Sequence, residues 1–355
     1  MKSIRYIRGL LIGAVLLGGS ACRKELCYDH NHVANVNVNL TYNLDWYTHW
    51  QPGVSLDPDW EIEWNVVSPQ EPSGVRVITY PHYAGLSGYT YNLPKTGGKL
   101  NMTVGLHDLL FYNNDTESII FSGKGEETKV TTNTRTRASY SEMYPDELTL
   151  TTPDMLFAAF YEDLQIEDGA LEYPNVDVKN IDVLLKPRVF SYVIRYEFKH
   201  GIEYVSKARG ALTNMSASVY LSSGHTDDDP ATLLFDCYAK EWGCETVIRS
   251  FGVPGIVLHE PEATAYAKTE TSDANKVIEI KKEYAHRLTL ELYLKNGKEK
   301  QIEIDVTDQV NKQPRGGVIV VKGIEVSDEE GAGDGGFDTS VDGWEDDQII
   351  EVPID

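Results

Sequence analysis

Long apolar runs, amphipathic helical periodicity and basic residues are all scarce in this sequence, and each scarcity excludes a class of protein. The longest early apolar run, Leu10–Leu17, falls short of the about 20 residues that span a bilayer, and no later segment is long and apolar enough. Lysine and arginine total 32 against 55 acidic residues, which gives a formal charge of −23. A surface this acidic argues against electrostatic binding of nucleic acid or anionic lipid.

Motifs that carry enzymatic chemistry are missing too. The sequence contains no nucleophile elbow, no metalloprotease helix motif and no glycine-rich phosphate loop. Paired carboxylates for glycoside cleavage stay open among the 55 acidic residues, because only their separation in space would identify them. The sequence therefore predicts a protein that is not an enzyme and uses no cofactor.

The N-terminus carries a short apolar run with basic residues before it and small residues after it. A basic stretch at 2–8, the apolar run Leu10–Leu17 and small residues at 18–21 come directly before Cys22. This order is typical of a secretory signal, and the position of the cysteine predicts a lipoprotein signal at 1–21 with Cys22 acylated. Gly19 stands where the usual pattern has leucine, so an ordinary secreted protein is the alternative.

A polar leader at 22–32 follows the signal. Cys27, Asp29, His30 and His32 are all metal-ligand types. A structural zinc site needs further ligands from a second element, and no matching pair of cysteine or histidine residues follows. The sequence predicts no metal site here and a polar connection from lipid to fold.

Cysteine usage predicts one crosslink. Four cysteines are present, and acylation of Cys22 would leave three. Cys237 and Cys244 flank a segment short enough to close a hairpin, so we expect a disulfide between them in an oxidising compartment. Cys27 would then remain unpaired.

Short strands separated by turns account for most of the remaining chain. Val33–Leu44 alternates valine or leucine with asparagine, which is the pattern of a half-buried strand. Further runs rich in threonine, tyrosine, valine and isoleucine recur about every ten residues, as in a β-sandwich. Asn296-Gly297 is a hairpin signal. We predict an N-terminal sandwich at 33–170, a C-terminal sandwich at 171–326, and an acidic linker with a terminal strand at 327–355.

One aromatic group and two acidic groups have residue types that functional sites use. Trp46, Trp50, Trp60 and Trp64 lie close together among six tryptophans in the chain, and such rings could stack on sugars or pack internally. The acidic turn at 113–117 is expected to form internal hydrogen bonds rather than a calcium site. Acidic residues of the tail at 334–347 are expected to be solvated.

The chain resembles the fimbrillin-like, or Mfa-like, lipoproteins of Gram-negative gut and oral anaerobes. The segments that carry the resemblance, beyond the lipoprotein signal, are Tyr80-Pro81, GLHDLLFYNNDTE at 105–117, Leu185-Lys186-Pro187, GALTNMSA at 210–217 and the closing FDTSVDGW at 337–344. The resemblance implies two tandem transthyretin-like (Greek-key) β-sandwiches. It also implies a fimbrial (pilus) subunit or anchor at the outer membrane, with a role in adhesion.

The same resemblance implies a mode of assembly. Subunits of that family join by β-strand addition, in which backbone hydrogen bonds give affinity and alternating side chains give register. Arg135 and Arg137 are candidate protease-processing residues, and the run 348–354 is a candidate donated strand or a strand that closes its own sheet. The expected partners are other fimbrial subunits and a membrane held through the lipid, with no nucleic acid. A surface lipoprotein that binds glycans through the four tryptophans is the alternative.

Overall fold

The computed structural model describes residues 33–44, 67, 69–83, 85, 87–133, 144, 147–167, 179–259 and 277–332. In this part of the chain the structure is all-β, with two short α-helices, α1 (Thr307–Lys312) and α2 (Asp328–Ala332), and two single-turn 3-10 helices at Gly125–Glu127 and Ile202–Tyr204. The strands are β1 Val33–Tyr42, β2 Gly74–Pro81, β3 Thr90–Pro94, β4 Gly97–Thr103, β5 Gly105–Asn113, β6 Ile119–Ser122, β7 Lys129–Thr132, β8 Thr149–Leu150, β9 Phe157–Ile166, β10 Lys179–Pro187, β11 Phe190–His200, β12 Val205–Ser216, β13 Val219–Tyr220, β14 Pro230–Lys240, β15 Gly243–Ser250, β16 Ile256–His259, β17 Val277–Ile280, β18 Arg287–Leu294, β19 Glu299–Asp305 and β20 Gly317–Glu325.

The first sandwich is one seven-stranded sheet that folds over on itself. Its strand order is β3-β2-β5-β9-β10-β1-β4. The fold lies between β9 and β10, which pair only where Phe157 and Ala158 meet Pro187 and Lys186. The layers β3-β2-β5-β9 and β10-β1-β4 enclose a core to which all seven strands contribute. The predicted sandwich is therefore confirmed for this half.

Strand β1 shows how the alternating pattern works. Val36 and Val38 are buried in the core, whereas Asn37 and Asn39 face outward. These asparagines donate 2.9 Å hydrogen bonds to the side chains of Asn180 and Asp182 on the parallel strand β10. The predicted half-buried strand is confirmed, and its polar face forms a side-chain ladder with its neighbour.

The second sandwich has its own core. The strand order is β19-β18-β12-β14-β15-β11-β20, with β8 added beside β14. The N-terminal part of β14 pairs with β12 and its C-terminal end pairs with β15, so this strand passes from one layer to the other. The hairpins β14–β15 and β18–β19 lie where the sequence predicts them.

The boundary between the two sandwiches differs from the one predicted near residue 170. Strand β10 pairs with β9 and β1, so residues 179–187 complete the first sandwich. The chain enters the second sheet only at β11, which begins at Phe190. The acidic, turn-rich stretch around 162–174 looked like a linker, but β9 continues to Ile166 and the chain then returns to the same sheet.

The two halves are packed and paired together. Strand β7 from the first half pairs with β13 from the second, and β8 pairs with β14. Between the halves lies an apolar group that we call the seam cluster. It consists of Leu110, Tyr112, Val130, Leu156, Ala158, Val189, Val219, Leu221 and Phe251, all buried. Leu110 and Tyr112 are on the face of β5 opposite the first core, so β5 is buried on both sides.

Arg188 crosses the seam at the point where the chain changes sheets. Its side chain is buried. The guanidinium donates from Nε to the carbonyl of Leu221 at 2.9 Å and from Nη2 to the carbonyl of Ser222 at 3.2 Å. Charged donors on buried carbonyls give strong hydrogen bonds, so Arg188 ties the first sandwich to the turn that follows β13.

Candidate functional site

A polar cleft of about 320 Å³ opens beside the seam cluster. Both halves line it, with Glu126, Phe160 and Glu162 from the first and Ser222, Ser223, His225 and Leu258 from the second. Ser222 donates from Oγ to the carbonyl of Glu126 at 2.9 Å. The lining combines carboxylates, hydroxyls, an imidazole, one aromatic ring and one leucine side chain.

Two hydrogen bonds position His225 at the cleft. Nε2 of His225 lies 3.2 Å from the carbonyl oxygen of Leu258. A carbonyl only accepts, so this nitrogen carries the proton and is a donor. Oγ of Ser223 accepts the backbone N–H of His225 at 3.2 Å.

One group of three potential metal ligands occurs in the described ranges: His82, Asp108 and Asp163, whose ligand atoms all lie within 4.8 Å of one another. Nε2 of His82 is 2.7 Å from Oδ2 of Asp108, and Oδ1 of Asp108 accepts the backbone N–H of Asp163 at 2.9 Å. An irregularity in the β5–β9 pairing and a φ of 55° at Asp163 bring this residue to Asp108. Hydrogen bonds of Asp108 with the ring of His82 and with the backbone of Asp163 hold the three residues together.

Sequence reasoning missed this cluster for a simple reason. His82 and Asp108 are 26 positions apart, and Asp108 and Asp163 are 55 apart. Only the pairing of β2, β5 and β9 brings them together, and no local spacing signals it.

Most of the predicted site residues lie outside the described residues. These are Cys22, Trp46, Trp50, Trp60, Trp64, Arg135 and Arg137, together with the leader at 22–32 and the run 348–354. Their roles stay predictions.

The predicted disulfide is wrong in this structure: Cys237 and Cys244 are free and buried. Cys244 stands opposite Ala239, and Tyr238 stands opposite Glu245. Cys237 is therefore on the diagonal from Cys244, where Cα atoms are about 7–8 Å apart, beyond the about 4.4–6.8 Å that a disulfide bridges. Burial raises the pKa of both thiols, that of Cys244 to about 12.

Asp115 in the acidic turn is held by hydrogen bonds from the protein. Its Oδ2 accepts the backbone N–H of Ser73 at 2.7 Å, and its Oδ1 accepts Nδ2 of Asn113 at 2.7 Å. Although burial opposes it, this set of donors lowers the pKa of Asp115. The carboxylate thus fixes the end of β5 against the chain entering β2.

Strand β6 presents an edge. It pairs with β7 on one side, and no described strand pairs with its other side. Ile120 is 48% exposed and Phe121 37% exposed, while the ring of Phe121 packs 4.7 Å from that of Tyr112. An edge with exposed apolar side chains is a surface suited to pairing with another strand.

The fold defines an all-β protein of two sandwiches packed along one seam. The chain belongs to the family described as a domain of unknown function (DUF5119), which matches residues 20–236. Among the described residues, none of the helices has the length and apolar character needed to cross a membrane.

Relatives of the chain carry fimbrial names. It is 25% identical over 225 residues to a candidate fimbrium anchoring subunit, Fim4B, of Bacteroides ovatus, a match that spans 63% of this chain and 58% of that relative. The match thus covers less than two thirds of the relative's length. These names confirm the resemblance to fimbrial proteins predicted from the sequence.

Solved structures are similar in fold. A candidate adhesin of Bacteroides ovatus has a TM-score of 0.54 and 21% identity, covering 83% of this chain and 94% of that chain. The fimbrial anchor protein Mfa2 of Porphyromonas gingivalis has 12% identity over 82% of this chain and 90% of that one. Its TM-score of 0.41 is too low to support a conclusion. The first likeness confirms the fold class.

Proposed function

We propose that this protein is a non-enzymatic cell-surface lipoprotein that serves as a fimbrial anchor or subunit with a role in adhesion. The similarity to a candidate fimbrium anchoring subunit over 225 residues supports this function most directly. The expected location is the outer membrane, at the cell surface or in the fimbrium.

Anchoring would depend on Cys22. Replacing it (Cys22→Ser) should move the protein from the membrane fraction to the soluble fraction, because a diacyl group is what holds it. Cys27→Ser is the matched control and should stay with membranes. A Cys22→Ser protein that still sediments with membranes would refute the lipid anchor.

The state of the N-terminus would separate the two roles. An anchor keeps an acylated Cys22, whereas a processed subunit would begin after an internal arginine, with Arg135 and Arg137 as candidates. Mass spectrometry of the N-terminal peptide from native cells distinguishes them. A native chain that starts at an unmodified residue not preceded by an arginine would contradict both.

Assembly would proceed by strand addition with other fimbrial subunits. The exposed edge of β6, with Ile120 and Phe121, offers one acceptor surface in the described residues. The run 348–354 is the candidate donor, and deleting residues 348–355 should abolish co-purification with fimbrial subunits. Deletion of the acidic stretch 338–347 is a control for tail length, and unchanged assembly in the 348–355 deletion would refute donation.

Glycan binding is the second candidate function. The cluster of four tryptophans motivates it, and Tyr83 and Tyr89 add aromatic rings that are 55% and 49% exposed. Rings of this kind stack on apolar sugar faces. A glycan array with the purified chain, compared with Trp46→Ala and Trp60→Ala variants, tests it. Signal that survives both substitutions would exclude the tryptophans.

A further inference from the structure

Strand β20 lies at the end of the second sheet. One side of it pairs in parallel with β11, and no described strand pairs with the other. The backbone N–H and C=O groups on such a side would normally be open to another strand. In this protein two glutamine side chains occupy them.

Each glutamine acts as one residue of a neighbouring strand would. Gln309 donates from Nε2 to the carbonyl of Val320 at 3.3 Å, and its Oε1 accepts the N–H of Val320 at 3.1 Å. Gln313 donates from Nε2 to the carbonyl of Val318 at 2.9 Å, and its Oε1 accepts the N–H of Val318 at 2.6 Å. A carboxamide has the donor and acceptor of a peptide group, so both groups of each valine are satisfied.

The spacing of the two elements explains why this works. Val318 and Val320 are two residues apart, so their outward groups recur about every 6.6 Å along the strand. Gln309 lies in α1 and Gln313 directly follows the last residue of this helix, and a step of four residues corresponds to a rise of about 6 Å on a helix. One turn of α1 therefore matches one repeat of the strand edge.

The surroundings hold these side chains in place. Gln313 is buried, and its backbone carbonyl accepts a hydrogen bond from the hydroxyl of Tyr192 at 2.7 Å. Gln313 can keep this position only with glycine at 317, because a Cβ there would lie 1.7 Å from Oε1 of Gln313. The start of α1 is fixed by the backbone bond from Val306 to the carbonyl of His286 at 3.0 Å.

We propose that Gln309 and Gln313 form a latch that occupies the edge of β20 as a surrogate strand and keeps it from pairing with β20 of a second copy. Each carboxamide both donates to and accepts from the strand edge, and the absence of a side chain at Gly317 leaves room for that of Gln313. The latch does not depend on the proposed fimbrial function. The latch does not cover the edge of β6, which is in a different sheet.

The test replaces each glutamine by methionine, which has a similar size but cannot form the two hydrogen bonds of a carboxamide. In the full chain, amide exchange at Val318 and Val320 is measured residue by residue by NMR, and oligomeric mass by light scattering over a range of concentrations. Gln309→Met should speed exchange at Val320 about tenfold or more and leave Val318 slow. The double variant with Gln313→Met should release both amides at low concentration, where the chain is monomeric, and should form a dimer as the concentration rises, with both amides protected again by strand pairing.

Controls separate the latch from general loss of structure. Gln165→Met changes a glutamine whose Nε2 reaches only the carbonyl of Ile166, and it should alter neither amide. Gly317→Ala should release Val318 by displacing Gln313, which repeats the result with both glutamines present. Slow exchange at Val320 in Gln309→Met would overturn the proposal, even if the double variant fails to fold. A double variant that exchanges fast and stays monomeric would refute the block on self-pairing.

Discussion

Leu110 gives the sharpest test of the seam cluster. Its side chain is fully buried on the outer face of β5, where the second half of the chain covers it. Leu110→Ala removes three buried carbons at about 0.8 kcal/mol each, and the cavity brings the expected loss of unfolding free energy to about 3–5 kcal/mol. Because the lost contacts join the two halves, the variant should also uncouple their unfolding.

Urea unfolding measures both effects. In the parent chain, tyrosine fluorescence and far-UV circular dichroism should report one transition, whereas Leu110→Ala should give two. Leu109→Ala is the matched control: Leu109 is equally buried on the same strand but faces the first core. Leu109→Ala should lower the unfolding free energy by a similar amount without separating the two unfolding transitions. A loss below about 1 kcal/mol for Leu110→Ala, or separated transitions in Leu109→Ala, would refute the reasoning.

Three further predictions concern pH, charge and a buried hydroxyl. Burial lowers the pKa of His286, so the folded state binds fewer protons than the unfolded state as the pH falls. The stability that neutral His286 contributes is complete above about pH 6.5 and is lost as the pH falls below that value. Urea midpoints at pH 7.5 and 5 should therefore differ more in the parent than in His286→Gln. Lys129 and Asp227 form a 2.5 Å ion pair between the halves, and because Lys129 is partly exposed, Lys129→Ala should cost only about 0.5–1 kcal/mol in urea unfolding; an unchanged midpoint would contradict it. Tyr192→Phe removes the donor to the carbonyl of Gln313 and should cost about 1 kcal/mol or more, with faster exchange at Val318 as a second readout.

The alternation of β1 and the two hairpins β14–β15 and β18–β19 could be predicted because their signals are local. A period of two tells which side chains are buried, and a short turn tells which strands are neighbours. The lipoprotein signal, the tryptophans and the arginines are likewise local patterns, and their roles remain predictions.

The partners of a strand that returns from far along the chain could not be predicted. Asn37 and Asn180 are 143 positions apart, and nothing near either one indicates that β1 and β10 pair. The boundary near 170 was wrong for this reason. The Cys237–Cys244 disulfide was wrong because a hairpin's length does not fix its register, and a diagonal pair lies too far apart to bond.

The sequence by itself determined that this protein is all-β, where several strands turn, and which faces they bury, because those properties depend on residues within one strand or turn. Tertiary structure alone decided that Leu110 lies in a seam, that His82 meets Asp108 and Asp163, and that Gln309 and Gln313 close the edge of β20. Those contacts join residues whose separation along the chain carries no repeating signal. Strand pairing and packing bring them together only after the chain has folded.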